Sequence, residues 1–570
     1  MSIAFILAGA LMFPVDNTKA VIRVNELGYA AADRKVAVLC SLVPRTIGRF
    51  TVLDAGGAIV LRAGAQPKGP YGPCVSTYDL NISPLTRPGT YRIDAQGVRS
   101  PPFRIARDPY GGVPGALLNF MRDERSGYNP LFHAYVHTHD GIVVDGPYAG
   151  RYFDVSGGWA DAADELQYVT TSAQATFVML AAYRDFPRAT HDTEILAEAR
   201  HGLDWLLAMY PRPNLMFNQL GDDRDHLTFH VFTNDTTNYG WGPGGARPIY
   251  PCTNRPQGLF TYKNHSNGAA STAGQFASAF ALGAQVFRGI APRYAALLAR
   301  KAREAYRYGQ LHPGVCQTAP ATAPYYYEIT NYANDMELAA AELYSLTREP
   351  RYQRQGLAYA SMEPVQPWMG ADTAEHYAWY PFLNFGHYEL WRTGDAAVRE
   401  RMERYYRLGL QRVATRACNA FSIGIPFIWV SNDLAIAYAT QAYLYRRMTG
   451  DATFLRYEDA ARNWLFGENL WGTSFVIGVP KGGPYPRHPQ SIESHTLHIR
   501  MRGGVVDGPV YRSVFERLKG IKLSRPDKYA PFNTGFIVYH DDFWDYSTNE
   551  PVMSTTADLI YLAAAMEPAR

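Results

Sequence analysis

At about residue 108 the spacing of apolar residues changes from a period of two to a period near 3.6. One chain must therefore build two architectures in series. Upstream, seven short alternating or β-branched runs follow one another: VIRVNELGY (21–29), KVAVLCSL (35–42), RFTVLD (49–54), AIVLRAG (58–64), VSTYDLNI (75–82), GTYRIDA (89–95) and PPFRIA (101–106). Turn residues such as Ala55-Gly56-Gly57 and Arg87-Pro88-Gly89 separate them. Strands at this spacing predict a small immunoglobulin-like β-sandwich over 21–107, without the Cys…Trp…Cys pattern of an antibody domain.

Downstream, apolar residues at helical spacing predict about twelve helices, near 113–122, 166–185, 192–209, 268–289, 293–308, 329–347, 350–361, 375–391, 395–416, 433–449, 451–466 and 550–566. The run ASTAGQFASAFALGAQVF (270–287) is rich in Ala and Gly and reads as a helix buried on most sides. Long loops rich in Gly, Pro, Asn and aromatics, at 211–267 and 467–549, interrupt the helices. Loops of that length in a compact helical domain usually carry function. Paired helices with one elaborate loop face predict a mainly α second domain over 108–570, an (α/α)6 barrel. A hydrophobic fraction of 47% supplies the core this needs.

Other features narrow the function. With 55 basic and 52 acidic residues, a formal charge of +3 gives no electrostatic case for nucleic acid or an anionic membrane. The apolar run at 3–13 is too short to span a bilayer. It fits a signal-peptide core ahead of Thr18-Lys19-Ala20, although the usual positive flank is missing. Residues 1–20 are therefore expected to be a signal peptide and the protein secreted or periplasmic, with no membrane span. The five cysteines show no metal-like spacing, and the odd count leaves at least one unpaired; Cys252 with Cys316 is one arrangement that would close a loop. The 40 Tyr outnumber the 27 Phe. Phenol rings combine an apolar face with a polar tip, which suits a polar cleft for sugar rings.

Two segments carry candidate chemistry. In Asp154-Val-Ser-Gly-Gly-Trp-Ala-Asp-Ala-Ala-Asp164, the glycines allow a tight turn and Trp159 offers an aromatic wall. Asp161 and Asp164 stand three apart ahead of a helix expected from Leu166, a spacing that puts both on one side of a helical turn; acidic residues there also serve as ordinary caps. In Tyr539-His-Asp-Asp-Phe-Trp-Asp-Tyr-Ser-Thr-Asn-Glu550, the glutamate is expected to begin the last helix. Trp544, Tyr546 and Asn549 flank it and could raise its pKa by desolvation, as a general acid needs.

With these motifs in order, the chain resembles glycoside hydrolase family 9, in the subgroup with an N-terminal immunoglobulin-like domain. VIRVNELGY resembles that domain's opening strand, and NFMRDERSG (119–127) the family's QRSG region. DVSGGWADAAD is similar to DVSGGWHDAGD, and QLGDDRDH (219–226) to QVGDG-x-DH. GENLWGTSFVIGVP (467–480) resembles GxNPxxxSFVTGxG, and DYSTNEP resembles DYxxNE. The resemblance implies single-displacement, inverting hydrolysis of β-1,4-linked glucans. In that scheme Asp164 is the general base, Asp161 helps hold the attacking water and Glu550 is the general acid. Two carboxyl groups roughly 6.5–9.5 Å apart would leave room for that water. Trp159, His226, Arg487, His488 and Tyr546 are the expected sugar-binding residues. No cofactor is expected to be required. Calcium is a candidate structural ion, and the loops Asp222-Asp223-Arg224-Asp225 and Asp541-Asp542 are candidate oxygen donors.

The chain also departs from the family. Where a PHHR motif is expected it reads Pro486-Arg487-His488-Pro489, so proline takes the arginine position. Phe229 stands where a tryptophan is expected, and GxNP has become Gly467-Glu-Asn469-Leu470. Retained carboxylates with altered grip residues imply the same reaction on a changed substrate. The partner is a polysaccharide or oligosaccharide, with endo-acting β-1,4-glucanase activity as the leading reading. Alternatives are an exo-acting enzyme on cello- or amino-sugar oligosaccharides, a hydrolase of a substituted bacterial exopolysaccharide, and a non-catalytic carbohydrate-binding protein.

Overall fold

Alternating short runs cannot bury one face alone, and the first ten strands solve this by pairing into two sheets. The structure is a computed structural model, and it describes residues 19–190, 194–227, 230–370 and 378–567. All but the last two residues of the expected signal peptide lie outside these, as does Phe229. The strands are β1 (Ala20–Arg23), β2 (Tyr29–Ala30), β3 (Val36–Ser41), β4 (Arg49–Asp54), β5 (Ile59–Gly64), β6 (Gln66–Pro67), β7 (Ser76–Asn81), β8 (Gly89–Ala95), β9 (Val98–Arg99) and β10 (Phe103–Ala106). One sheet runs β1-β3-β7-β6 and the other β2-β10-β8-β4-β5, with β9 beside β8. Ile22, Leu39, Val52, Leu80, Ile93 and Ile105 meet between them as a core.

The sandwich's outer face is not free. Leu27, Val38 and the disulfide-bonded Cys40 and Cys74 belong to the core of the helical domain. Polar contacts reinforce this face. Asn25 Nδ2 donates to Tyr110 Oη at 3.0 Å and to Asn463 Oδ1 at 2.9 Å, and Tyr29 Oη donates to Glu468 Oε2 at 3.0 Å. Glu468, at the variable position of the segment that resembles GxNP, thus serves the domain contact.

The twelve longer helices of the described residues are α1 (Val113–Asp123), α2 (Val169–Asp185), α3 (Ile195–Met209), α4 (Ala270–Val286), α5 (Pro292–Leu311), α6 (Ala333–Thr347), α7 (Pro350–Met362), α8 (Phe385–Thr393), α9 (Ala396–Arg416), α10 (Ser431–Thr449), α11 (Leu455–Leu465) and α12 (Met553–Met566). Even-numbered helices form the inner ring: α12 packs on α2, α2 on α4, α4 on α6, α6 on α8, and α10 on α12. Each odd-numbered helix lies outside, with α1 on α12, α3 on α2, α5 on α4, α7 on α6, α9 on α8 and α11 on α10. This is the (α/α)6 barrel. The sequence explains the partition. In α5, Ala295, Leu298, Ala302, Ala305, Tyr306 and Gly309 form one buried stripe, as an outer helix requires. In α4 nearly every residue is buried. A Cβ at Gly274 would stand 2.6 Å from the Asp335 carbonyl carbon, so glycine there lets α4 and α6 approach closely.

The helix expected near 375–391 begins at Phe385, and two expected helix starts beside the candidate carboxylates also move. The helix after Asp164 begins at Val169, because Gln167–Tyr168 form a strand instead. Asp161 and Asp164 therefore lie in a loop and share no helical face. Glu550 does not begin α12. It precedes the strand Pro551–Val552, which pairs with Val505–Val506, and the helix starts at Met553.

Candidate active site

The loops of the barrel face are folded by their own short sheet. After the hairpin β11 (Gly127–Asn129) and β12 (Ala134–Val136) come β13 (Ile142–Val143), β14 (Gln167–Tyr168), β15 (Phe217–Leu220) and β16 (Pro248–Pro251), in the order β13-β16-β15-β14. Pairing Tyr168 with Gln219 and Gln167 with Leu220 brings the 154–168 loop beside the 219–226 loop. Arg247 pins this arrangement from beneath. It is fully buried, its Nη2 lies 2.7 Å from Asp140 Oδ2, and its other guanidinium nitrogens reach Asp140 and the Glu165 carbonyl. The disulfide Cys252–Cys316 ties the neighbouring loops, and Cys418 is free and exposed.

Asp164 and Glu550 line one cleft of about 510 Å³. Glu550 Oε1 accepts from the Ala163 N–H at 3.1 Å, one residue from Asp164. Burial, together with the charge of Asp164, pushes the Glu550 carboxyl up to about 8, although the Ala163 N–H pulls the other way. The Asp164 carboxylate accepts from the Leu166 N–H at 3.2 Å and meets His226 Nε2 at 2.8 Å. Burial works against a proton on His226, but the bond to Asp164 together with the charges of Asp164, Asp225 and Glu550 outweighs this and raises the imidazole to about 9.

Asp161 is buried behind the cleft, where its carboxylate accepts from the hydroxyls of Thr171 and Tyr327. Its backbone is held as well: its N–H donates to the Leu166 carbonyl at 2.8 Å, and its carbonyl accepts from the Met553 N–H at 2.9 Å. Burial and the neighbouring Asp164 push it up to about 7, against the two hydroxyls. Asp161 thus stitches the loop to the starts of α2 and α12.

Of the expected sugar-binding residues, His226 and Tyr546 line the cleft. Trp159 does not: it has no exposed surface, and its indole N–H donates to Glu198 Oε1 at 2.7 Å. The tight turn at Gly157 and Gly158 aims it into the core against α3. Arg487 and His488 also face elsewhere, lining a separate cavity with Lys528 and Asp541. The Arg487 guanidinium sits 3.6 Å from the Tyr485 ring centroid, and the Asp541 carboxylate accepts the backbone N–H groups of residues 487 and 488. From this segment Gln490 lines the cleft instead, its backbone N–H donating to the Asn549 carbonyl at 3.0 Å.

Tyr325, Trp429, Trp544 and Gln490 are wall residues that the motifs did not flag for sugar binding. Trp429 stacks at a tilt on Tyr546, with ring centroids 5.5 Å apart, and Tyr325 stands edge-on to His226 at 5.4 Å. The Tyr-Tyr-Tyr run at 325–327, in a loop between helices, was the available signal for Tyr325.

Four carboxylates of the two candidate calcium loops, Asp222, Asp223, Asp541 and Asp542, are engaged by protein donors. Asp222 is taken by Arg224 at 2.6 Å and by the Tyr250 hydroxyl at 2.6 Å, and Asp223 accepts from the backbone N–H groups of residues 321–323. Asp541 takes Lys528 at 2.6 Å, and Asp542 takes the Ser524 N–H and hydroxyl. These carboxylates already have N–H and O–H donors, which compete with a cation that needs six to eight oxygen ligands.

The chain is 25% identical to Endoglucanase C of Cellulomonas fimi over 611 residues, covering 95% of this chain and 51% of that protein. It is 25% identical to Endoglucanase A of Bacillus pumilus over 448 residues, covering 76% of this chain and 62% of that protein. The chain thus spans about half to three-fifths of the length of these relatives. A metagenome-derived glycoside hydrolase family 9 endoglucanase superposes with a TM-score of 0.75 at 23% identity, covering 96% of this chain and 99% of the other. A single mutant of the thermostable endoglucanase from Alicyclobacillus acidocaldarius gives 0.75 at 22% identity, covering 96% and 100%; both likenesses concern the fold. The profile of the cellulase N-terminal ig-like domain matches residues 17–100, and that of glycosyl hydrolase family 9 matches residues 110–563. The chain belongs to glycosyl hydrolase family 9.

Proposed function

We propose that this protein is an endo-acting, inverting β-1,4-glucan hydrolase in which Asp164 is the general base and Glu550 the general acid. The observation that carries the reading is the pairing of two differently placed carboxyls on one cleft. Glu550 is held up to about 8 by burial, so it keeps a proton to give to the leaving oxygen at neutral pH. Asp164 is fixed by a backbone N–H and an imidazole and can take a proton from water. Asp161 acts by positioning: its bonds to Thr171 and Tyr327 hold the loop that aims Asp164. Trp429 and Tyr546 supply an aromatic platform for a sugar ring.

The proton on Glu550 sets the pH dependence. Catalysis needs its protonated form, so this group's contribution to kcat is full below its pKa and is lost as pH rises through it. The alkaline limb of the kcat–pH profile on a soluble glucan is expected near pH 8. A limb close to the ordinary glutamate value of about 4.3 would mean that burial does not hold the proton there.

The substrate follows from the altered grip. Arg487 is stacked on Tyr485 and supplies no forked, charged donor to the cleft, and Pro489 has neither a side-chain donor nor a backbone N–H. Losing one charge-assisted bond costs about 1.5–3 kcal/mol. Soluble or substituted β-1,4-glucans are therefore the proposed substrates, ahead of crystalline cellulose. A panel of crystalline cellulose, soluble and substituted β-glucans and short cello-oligosaccharides, with product sizes read out, tests this. A mixture of internal-cut products from the soluble chains is expected. Preference for crystalline cellulose would refute the substrate assignment, and release of only mono- or disaccharides would refute the endo-acting assignment. We also infer that the protein works outside the cytoplasm, in line with its two disulfides and the apolar run at 3–13.

A further inference from the structure

Behind Asp164 and His226 the chain gathers more ionisable groups than hydrolysis uses. Glu165 follows Asp164, Asp225 precedes His226, and His230 and Asp235 lie a few residues on. His230 Nε2 stands 3.3 Å from Glu165 Oε2, 3.7 Å from Asp225 Oδ2 and 3.2 Å from Asp235 Oδ1. Glu165, Asp225 and His230 are all more than nine-tenths buried, and one ligand atom from each lies within 4.8 Å of the others. Ligands at about 2.0–2.1 Å around a tetrahedral ion stand about 3.3–3.4 Å from one another, close to the separations of His230 Nε2 from Glu165 and Asp225. Glu165 adds a separate sign: its Oε1 is buried with no hydrogen-bond partner among the described residues.

We propose that Glu165, Asp225 and His230 form a buried three-ligand site for a divalent transition ion of the Zn2+ type, with water completing the shell and Asp235 as an outer partner of His230. An imidazole nitrogen among carboxylate oxygens suits such an ion, whereas Ca2+ and Mg2+ favour oxygen-only shells of higher number. His137 completes the surroundings without being needed as a ligand. Its Nε2 contacts Glu165 Oε2 and its Nδ1 lies 3.8 Å from Asp235 Oδ2, the kind of outer partner that orients metal-bound carboxylates. Asp225 Oδ1 accepts from the Glu165 N–H at 3.1 Å, so two ligands already brace each other. The ion would offset the two buried carboxylates of Glu165 and Asp225. It would also clamp the loop bearing Asp164 to the loop bearing His226. Glu165, Asp225 and His230 line the cleft wall, which gives the ion a way in.

The alternative is a metal-free network in which the imidazoles carry protons, and direct binding separates the two. The full-length protein is stripped with a chelator, titrated with Zn2+ alone and passed through gel filtration before metal analysis. About one ion per chain and a raised Tm are expected, with the d–d spectrum of a tetrahedral nitrogen–oxygen site when Co2+ is loaded instead. His230→Ala and Asp225→Asn should each weaken Zn2+ binding ~100-fold or more, and Asp235→Asn about 10–100-fold. Cys418→Ser, which removes the exposed thiol, should change neither stoichiometry nor affinity. The proposal is overturned if the stripped wild type takes up no stoichiometric Zn2+. It is equally overturned if folded His230→Ala binds as tightly as the wild type. Because these readouts are binding and stability, such a failure leaves the hydrolytic assignment standing.

Discussion

Asp164→Asn and Glu550→Gln are each expected to lower kcat by about 10²–10⁴-fold, the usual contribution of a positioned acid or base, with folding intact. Each change keeps side-chain size and removes one proton-transfer function. The Asp164→Asn carboxamide can keep the Leu166 N–H on its oxygen and turn its NH2 toward His226, but it cannot take a proton from water. The Glu550→Gln carboxamide can still accept from the Ala163 N–H, but it has no proton to give the leaving oxygen. The second loss should depend on the substrate: a glucoside with a good leaving group needs little protonation and should retain far more activity in Glu550→Gln. Asp164→Asn should gain no such relief. Near-normal turnover of either variant on an unactivated glucan would remove that residue from its role.

Arg247→Met is expected to be the most destabilising single change near the site. Methionine fills much of the arginine's volume but leaves Asp140, only 2% exposed, without the guanidinium that lies 2.7 Å away. Removing one partner of a buried pair typically costs about 3–5 kcal/mol, because a charge stays buried and uncompensated. The Glu165 carbonyl and the Gln167 side chain lose donors in the same step, so the loop bearing Asp164 should loosen and kcat should fall with stability. Chemical denaturation of the wild type, Arg247→Met and the double variant Arg247→Met/Asp140→Leu measures this. The double variant should recover part of the loss, since it removes the stranded charge. A single variant within about 1 kcal/mol of wild type would show that the pair does not hold the loops.

Much of this molecule could be read from local pattern. A period of two gave the strands and a period of 3.6 the helices, because each element must bury one face or stripe regardless of its partners. The Ala- and Gly-rich α4 is buried on most sides as its composition suggested, and Cys252 and Cys316 pair as the loop closure suggested. The misread positions are those decided by distant partners. The helix after Asp164 starts three residues late because Gln167–Tyr168 pair with Gln219–Leu220, some fifty residues away. Trp159 turns inward because Glu198 on α3 receives its N–H, and Arg487 turns aside because Tyr485 offers it a ring face. Neither preference is visible in the motif. The cluster at Glu165, Asp225 and His230 draws on two loops that meet only in the fold.

The central claim is a single displacement by water, activated at Asp164 while Glu550 protonates the leaving oxygen. Time-resolved proton NMR of a soluble β-1,4-glucan or cello-oligosaccharide during hydrolysis tests it most directly. The account predicts that the newly formed reducing end appears first as the α anomer and only later mutarotates. A β anomer as the first product would require a covalent glycosyl-enzyme intermediate and would contradict it.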